Sequence, residues 1–213
     1  MENEKYVLGL DVSTKCIGIC LMRDLGDKGE LFRVTHVSPV VKPCPDSKME
    51  ELFKKVEIFE KEFLNKYKNI NITHVVIEEP LLQSNNVYTI ATLLRFNGMI
   101  AKSIYNTLGI VPEFISSYDA RKYAFPELMA IRKFDKKGNP YSEKDIAKKE
   151  PVLFGAYDWD IDKKTVIWDK VAEMFPTIQW IYDKKHKLKK ENYDTSDAVA
   201  CLLGHMRKMA IWD

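Results

Sequence analysis

Glycine is scarce in this chain. There are nine among 213 residues, and none sits in a Gly-rich loop of the kind that cradles nucleotide phosphates. The four cysteines, Cys16, Cys20, Cys44 and Cys201, form no C-x-x-C pair and have no histidine at zinc-finger spacing. That pattern argues against a structural zinc site and leaves reduced, mostly buried thiols as the expectation. No apolar run approaches the ~18 residues that a membrane span needs. Met1-Glu2-Asn3-Glu4-Lys5 carries both charge signs and leads directly into an apolar strand, so no targeting segment is expected. Together these absences predict a soluble chain of the cytoplasm, or of a host cytoplasm if the source is viral. Internal repeats, low-complexity tracts and a flexible linker are not visible either, so a single domain over 1–213 is expected.

What is present is a globular balance of 46% apolar and 30% charged residues, enough to form a core. The net charge of +2 hides segregation, because Lys184-Lys185-His186-Lys187-Leu188-Lys189-Lys190 is a basic run while the residues that could hold a metal are acidic. Apolar patterning predicts strands at 5–11, 16–23 and 31–40, joined by short turns into an antiparallel meander. After the breaker Pro43-Cys44-Pro45-Asp46-Ser47, helical spacing of Leu52, Val56, Phe59, Phe63 and Tyr67 predicts a helix near 47–68. A strand at 73–79 stops at Pro80, a helix follows on Ile90, Leu93, Leu94, Met99 and Ile104, and 110–116 reads as a short edge strand. Residues 127–163 break this rhythm with Lys, Asp, Gly and two X-Pro breakers, so an insertion or lid is expected there. Helices are expected again near 164–175 and 195–209. This order describes an α/β fold, a mixed five-stranded sheet with three antiparallel strands followed by parallel strands, flanked by helices.

The carboxylates carry the chemistry. Asp11 closes the buried run Tyr6-Val7-Leu8-Gly9-Leu10, Glu78 closes Val75-Val76-Ile77, and Asp194 and Asp197 open the last apolar stretch. An acid at the end of a buried strand is costly to desolvate without a hydrogen bond, a cation or a metal. If the first strand lies beside 73–79, Asp11 and Glu78 sit about 5 Å apart laterally. The two-residue period turns Glu78 to the face of Val76 and Glu79 to the opposite one. Asp194 and Asp197, three apart, share a helix face near its start, which fits a capping box as well as a ligand pair. Taken with Asp11 and Glu78, the metal reading is preferred, because hard Mg²⁺ or Mn²⁺ takes carboxylates plus substrate phosphate oxygens. Two such ions can stabilise the attacking and leaving oxygens of a phosphodiester.

In order and spacing, Leu8 to Gly18, Val76-Ile77-Glu78-Glu79-Pro80 and Asp194-Thr195-Ser196-Asp197-Ala198-Val199-Ala200 resemble the RuvC-like Holliday junction resolvases of the RNase H superfamily. Asn85-Asn86 followed by Leu94 and Gly98 is similar to that family's loop and helix after the strand glutamate. The resemblance implies an RNase H-like fold, a homodimer, and two symmetric Mg²⁺-dependent nicks in a four-way DNA junction. It implies Asp11, Glu78, Asp194 and Asp197 as catalytic acids and metal ligands, with Lys163 and Lys164 similar to lysines near the scissile phosphate. Departures are Val12-Ser13 in place of a small residue or Gly after the first Asp, and Leu81-Leu82 in place of an aromatic after the strand Glu. With the 127–163 segment they suggest a divergent, phage-type branch.

Lys15, Lys184, Lys185, Lys187, Lys189 and Lys190 are further candidates for phosphate contact, with a solvated face as the competing reading. Arg95, Lys102, Arg121 and Lys122 are candidates for the same groove. Tyr118, Tyr123 and Phe125 read as core more readily than as base-stacking rings, and His205 reads as structural. Two other functions share these features. One is an RNase H-type or general branched-DNA nuclease. The other is an actin or sugar-kinase type ATP-binding domain, which the missing Gly-rich loops and short length disfavour.

Overall fold

The computed structural model describes residues 4–44, 47–80 and 86–213; Pro45-Asp46, Leu81-Leu82 and Asn85, cited above, lie outside them. β1 (Lys5–Val12), β2 (Ile17–Asp24) and β3 (Gly29–Val37) form the meander, and β4 (Ile72–Glu78) and β5 (Glu113–Ile115) add in parallel. The order across the sheet is β3-β2-β1-β4-β5. β5 is shorter than the apolar run around it because Pro112 has no N–H to give to a ladder.

Side-chain alternation sends Leu8, Leu10, Ile19, Leu21 and Ile77 to one face of the sheet, under α1 (Lys48–Phe59) and the helix that follows β4. α1 continues through a π-helical turn, Glu60–Leu64, into α2 (Asn65–Tyr67), and Phe59, Phe63 and Leu64 are all buried there. Ser47 caps the start, its hydroxyl accepting the Glu50 N–H at 3.2 Å. α3 (Val87–Leu108) is capped at both ends. Asn86 Oδ1 accepts from Tyr88 and Thr89, and Gly109 takes φ 73°, the left-handed conformation that closes a helix.

The opposite face gathers Val7, Cys20, Met22 and Val76 beneath α4 (Ser117–Ala124) and a long C-terminal helix. The chain after α4 passes through β6 (Met129–Ala130), α5 (Glu143–Ile146) and β7 (Val152–Leu153), with β6 and β7 paired as a separate small sheet, then α6 (Lys163–Met174). α7 (Glu191–Lys208) is buried nearly all round, from Thr195 through Met206, as befits a helix enclosed between the sheet, α4 and α6. It begins four residues before the Thr195 start expected from the apolar pattern. Asp194 and Asp197 therefore lie within the helix, whose N-cap is Lys190 without a side-chain capping bond, and the capping-box reading fails.

Candidate active site

The site follows from strand parity. Asp11 shares the alternation of Val7, and Glu78 that of Val76, so both carboxylates turn toward the α7 face. The parallel register pairs Leu10 with Ile77, which makes Asp11 and Glu78 next neighbours across β1 and β4. Glu79 is exposed, and its N–H bonds the Ile115 carbonyl at 2.8 Å.

Glycine then lets the helix approach. A Cβ at Gly9 would stand 2.6 Å from Leu202 Cβ and 2.7 Å from the Ala198 carbonyl, and one at Gly18 would collide with the Asp194 carbonyl. Gly18 pairs with Asp11 across β1 and β2. The missing side chain opposite Asp11 is thus what admits the backbone of Asp194 to the same corner of the sheet. From there Asp194 and Asp197 share a helix face, three residues apart.

Burial first, then the charges of Glu78, Asp197 and Asp194, push the Asp11 carboxyl well above the usual carboxylate range. Burial, with Asp197 next, pushes Glu78 up to about 8. Two cations enter the cluster. Arg121 Nη2, from α4, lies 3.0 Å from Asp197 Oδ1, and the two side chains are 16% and 4% exposed. Lys164 Nζ, from α6, lies 3.3 Å from Asp194 Oδ1 and 3.7 Å from Asp197 Oδ2. Burial works against the Lys164 ammonium, but Asp197, Asp194 and Asp11 outweigh it and hold its pKa above the ordinary lysine value. Burial likewise opposes the Arg121 charge, and Asp197 and Glu78 overcome it. Four carboxylates against two cations leave a surplus of acid, which the raised proton affinities of Asp11 and Glu78 express.

Among the described residues, no three His, Cys, Asp or Glu side chains stand as a ready-made metal-ligand set. The donor chemistry nonetheless suits a hard divalent cation: four carboxylate side chains from three chain segments, with excess negative charge. Asp11, Glu78, Asp194 and Asp197 are the residues that would hold it, in competition with Lys164 and Arg121.

The other candidates are dispersed. Lys15, Lys164, Lys190 and Asp194 line one cavity of about 560 Å³ together with Ser13 and Tyr193. Ser13 holds the β1–β2 turn, its hydroxyl donating to the Cys16 carbonyl at 2.8 Å. Lys163 Nζ instead lies 6.0 Å from the centroid of the Phe154 ring. Lys184, Lys185, Lys187 and Lys189 are exposed ahead of α7. Lys122 Nζ sits 5.4 Å from the Tyr123 ring centroid and Lys102 Nζ 4.8 Å from that of Tyr105, while Arg95 is exposed. Phe125 is fully buried, and Tyr118 is exposed. His205 Nε2 pairs with Glu113 Oε2 at 3.2 Å at the sheet edge. Cys16, Cys20 and Cys201 are free buried thiols whose pKa burial drives upward. Arg121 stands apart from its three companions because α4, absent from the expected elements, carries it to Asp197. Ser116-x-x-Asp119 was the available signal for that helix: the Ser116 hydroxyl accepts the Asp119 N–H at 3.1 Å.

The sheet order, the flanking helices and the acids at the ends of β1 and β4 define an RNase H-like α/β fold. Solved structures agree at that level. The chain is similar to the Thermus thermophilus RuvC structure, with a TM-score of 0.52, 14% identity and 97% of each chain covered. It is likewise similar to T. thermophilus RuvC in complex with Holliday junction substrate, with a TM-score of 0.54, 12% identity and 96% of each chain covered. At these identities the likeness is one of fold. No protein-family model and no curated protein sequence matches the chain.

Proposed function

We propose that this protein is a divalent-metal-dependent endonuclease that resolves four-way DNA junctions as a homodimer. The observation that carries the reading is the convergence of Asp11, Glu78, Asp194 and Asp197 on one corner of the sheet, with more carboxylate than the two cations balance. A hard divalent ion, when bound, supplies polarisation of the scissile phosphate and of the attacking water. The protein's own groups bind and orient. Lys164, half-exposed beside Asp194, is placed to shift from its carboxylate partners onto a phosphate oxygen. Arg121 is a positioning residue that fixes the rotamer of Asp197 from α4. Lys15 and Lys190, at the rim of the adjoining cavity, give the backbone further positive contacts.

The junction as substrate draws support from the fold shared with a RuvC solved on a Holliday junction. The dimer draws support from α3, where exposed Val87 and Leu94 and the open space at Gly98 share one helix face, with exposed Tyr88 beside it. Residues 127–163 fit an insertion on a single domain.

Labelled four-way junction, linear duplex and RNA–DNA hybrid incubated with Mg²⁺ test this reading. Paired nicks in the junction are expected, and Asp11→Asn should bind without cutting. Preferential cutting of the hybrid would move the reading to an RNase H-type nuclease, and unimpaired cutting by Asp11→Asn would remove the acid centre from the mechanism.

A further inference from the structure

Two hairpins far apart in the sequence are built to one pattern. In the first, Phe134 and Pro140 form an isolated antiparallel bridge around Asp135-Lys136-Lys137-Gly138-Asn139. The Asp135 N–H bonds the Asn139 carbonyl at 2.9 Å, and the Asp135 carboxylate accepts the N–H groups of Lys137 at 2.8 Å and Asn139 at 2.9 Å. In the second, Tyr182 and Leu188 bridge around Asp183-Lys184-Lys185-His186-Lys187. The Asp183 N–H bonds the Lys187 carbonyl at 2.8 Å, and its carboxylate accepts from Lys185 at 2.7 Å and Lys187 at 2.9 Å. The residue after each lysine pair is left-handed, Gly138 at φ 82° and His186 at φ 57°. A histidine there adopts a conformation that L side chains avoid, so the turn shape is imposed by its bonds rather than chosen by that residue. The sequence carries half of the match, an aromatic followed by Asp-Lys-Lys at 134–137 and again at 182–185, while Gly-Asn-Pro and His-Lys-Leu after it share no residue.

The shared design has one effect. Each aspartate is turned inward onto backbone N–H groups, and each lysine pair is left exposed at a fixed tip. An exposed aromatic stands at each base, Phe134 at 51% and Tyr182 at 49%. A merely solvated basic loop needs neither the rigid tip nor the ring.

The first hairpin lines a cavity, and the second leads toward another. The second is pinned to α7 by Asn192, whose amide accepts from the Ile181 N–H at 3.0 Å and donates to the Ile181 carbonyl at 2.6 Å. It runs on through Lys190 into the cavity beside Asp194. The first lines a cavity of about 960 Å³ with Arg132, Tyr157 and Trp159. Trp159 Nε1 bonds the Phe134 carbonyl at 3.1 Å, fastening the hairpin to the cavity wall. The Arg132 guanidinium lies 4.1 Å from the Trp159 ring centroid and donates to the Phe154 and Tyr157 carbonyls, each at 2.8 Å. Asp135, Asp158 and Asp160 line this cavity against Arg132, Lys133 and Lys136, so it offers aromatic surface more than net charge, and Lys137 stands exposed in the adjoining turn.

We propose that the Phe134–Pro140 hairpin and its cavity form a second nucleic-acid contact, with Lys137 and Lys136, whose ammonium stands 5.4 Å from the Trp159 ring centroid, on backbone phosphates and an unstacked base received against Phe134. The occupant is a strand of the same DNA that the acid centre would cut, so the inference rests on the proposed function. Phosphate contact gives affinity, and a stacked base takes any sequence, a combination suited to strands splayed at a branch.

The test is fluorescence anisotropy of a labelled four-way junction across a salt series, using the full chain with Asp11→Asn to prevent cutting. Lys136→Ala/Lys137→Ala should weaken binding on the order of tenfold at about 0.1 M salt and lower the slope of log affinity against log salt by ~1.8, two phosphates at ~0.9 each. Lys184→Ala/Lys185→Ala should do the same independently. Phe134→Ala, at an exposed position, should weaken binding about fivefold and reduce the fluorescence change of a 2-aminopurine placed at the branch. Unchanged affinity and slope in the Lys136/Lys137 variant would overturn the second contact, even in a protein that cuts junctions. Failure of the chain with Asp11 intact to cut any junction in Mg²⁺, with these losses intact, would overturn the proposed function and keep the contact. A parent that binds no nucleic acid overturns both.

Discussion

Glu78→Gln should stabilise the metal-free protein at alkaline pH. In the folded chain the Glu78 carboxyl titrates at about 8, against 4.5 for an ordinary glutamate, chiefly because burial and then Asp197 disfavour its charge. Between those values the native state holds a proton that the unfolded chain has released, so unfolding releases it. The associated stability is full below about pH 4.5 and is lost as pH rises through about 8. Each pH unit of that window carries at most ~1.4 kcal/mol per group. From about pH 5 to about pH 8 the loss is therefore bounded near 4 kcal/mol, and on the order of 3 kcal/mol is expected because the unfolded carboxyl is only partly ionised at the lower end and the folded one already half-ionised at the upper. Against a typical native stability of about 5–15 kcal/mol this is large. Urea unfolding in chelator at about pH 5.5, 6.5, 7.5 and 8.5 should show the parent weakening steadily. The Glu78→Gln variant should show a flatter profile, with the residual slope set by Asp11, whose raised pKa acts in the same direction. Parallel profiles for parent and variant, or a parent that gains stability with pH, would refute the reasoning.

Divalent ion should reverse the alkaline weakening, since a cation held by the same acids stabilises the folded state by mass action; a melting temperature indifferent to Mg²⁺ at about pH 8.5 would count against those ligands. Gly18→Ala should destabilise the fold by about 1–3 kcal/mol in denaturant unfolding, because its methyl meets the Asp194 backbone rather than a yielding side chain. Arg121→Gln should cut turnover by about 10- to 100-fold in a junction-nicking assay while Arg121→Lys recovers part of it, the split expected of a residue that orients Asp197. Under the proposed dimer, Leu94→Glu on exposed α3 should sediment as a monomer where the parent sediments as a dimer, and its melting temperature should no longer rise with protein concentration.

The meander, the parallel addition of β4 and the inward placement of Asp11 and Glu78 were legible because strand parity is a local property: two-residue alternation fixes which carboxylate turns inward wherever the chain is extended. Helix starts were less legible. α7 begins at Glu191 rather than Thr195 because its first turn is polar, so no apolar period announces it. α4 escaped notice for a related reason: Ser117–Ala124 is short, its buried residues are the small Ala120 and Ala124, and Gly204 of α7 lies directly against the Ala120 backbone. Close packing through small side chains leaves no hydrophobic stripe to read.

That short helix is also why the electrostatics of the site exceed what the sequence shows. Asp11, Glu78, Asp194 and Asp197 are visible as acids at element ends, and Lys164 and Arg121 as cations for the same groove, but nothing in the chain order separates them from Lys163, Arg95, Lys102 and Lys122 or pairs them with Asp194 and Asp197. Their positions differ in kind. Arg121 is largely buried and bound to the nearly inaccessible Asp197, so removing its charge would leave a buried carboxylate without its partner. Lys164 is half-exposed, holds its acids at 3.3 and 3.7 Å, and borders the cavity that Lys190 and Lys15 share. Its partners are less exposed than it is, Asp194 at 22% and Asp197 at 4%, so of these two contacts the one to Asp194 is nearer to solvent and, under the proposed function, the one a phosphate would replace. The two cations thus differ in place: Arg121 is enclosed with Asp197, and Lys164 reaches the same acids from the cavity rim.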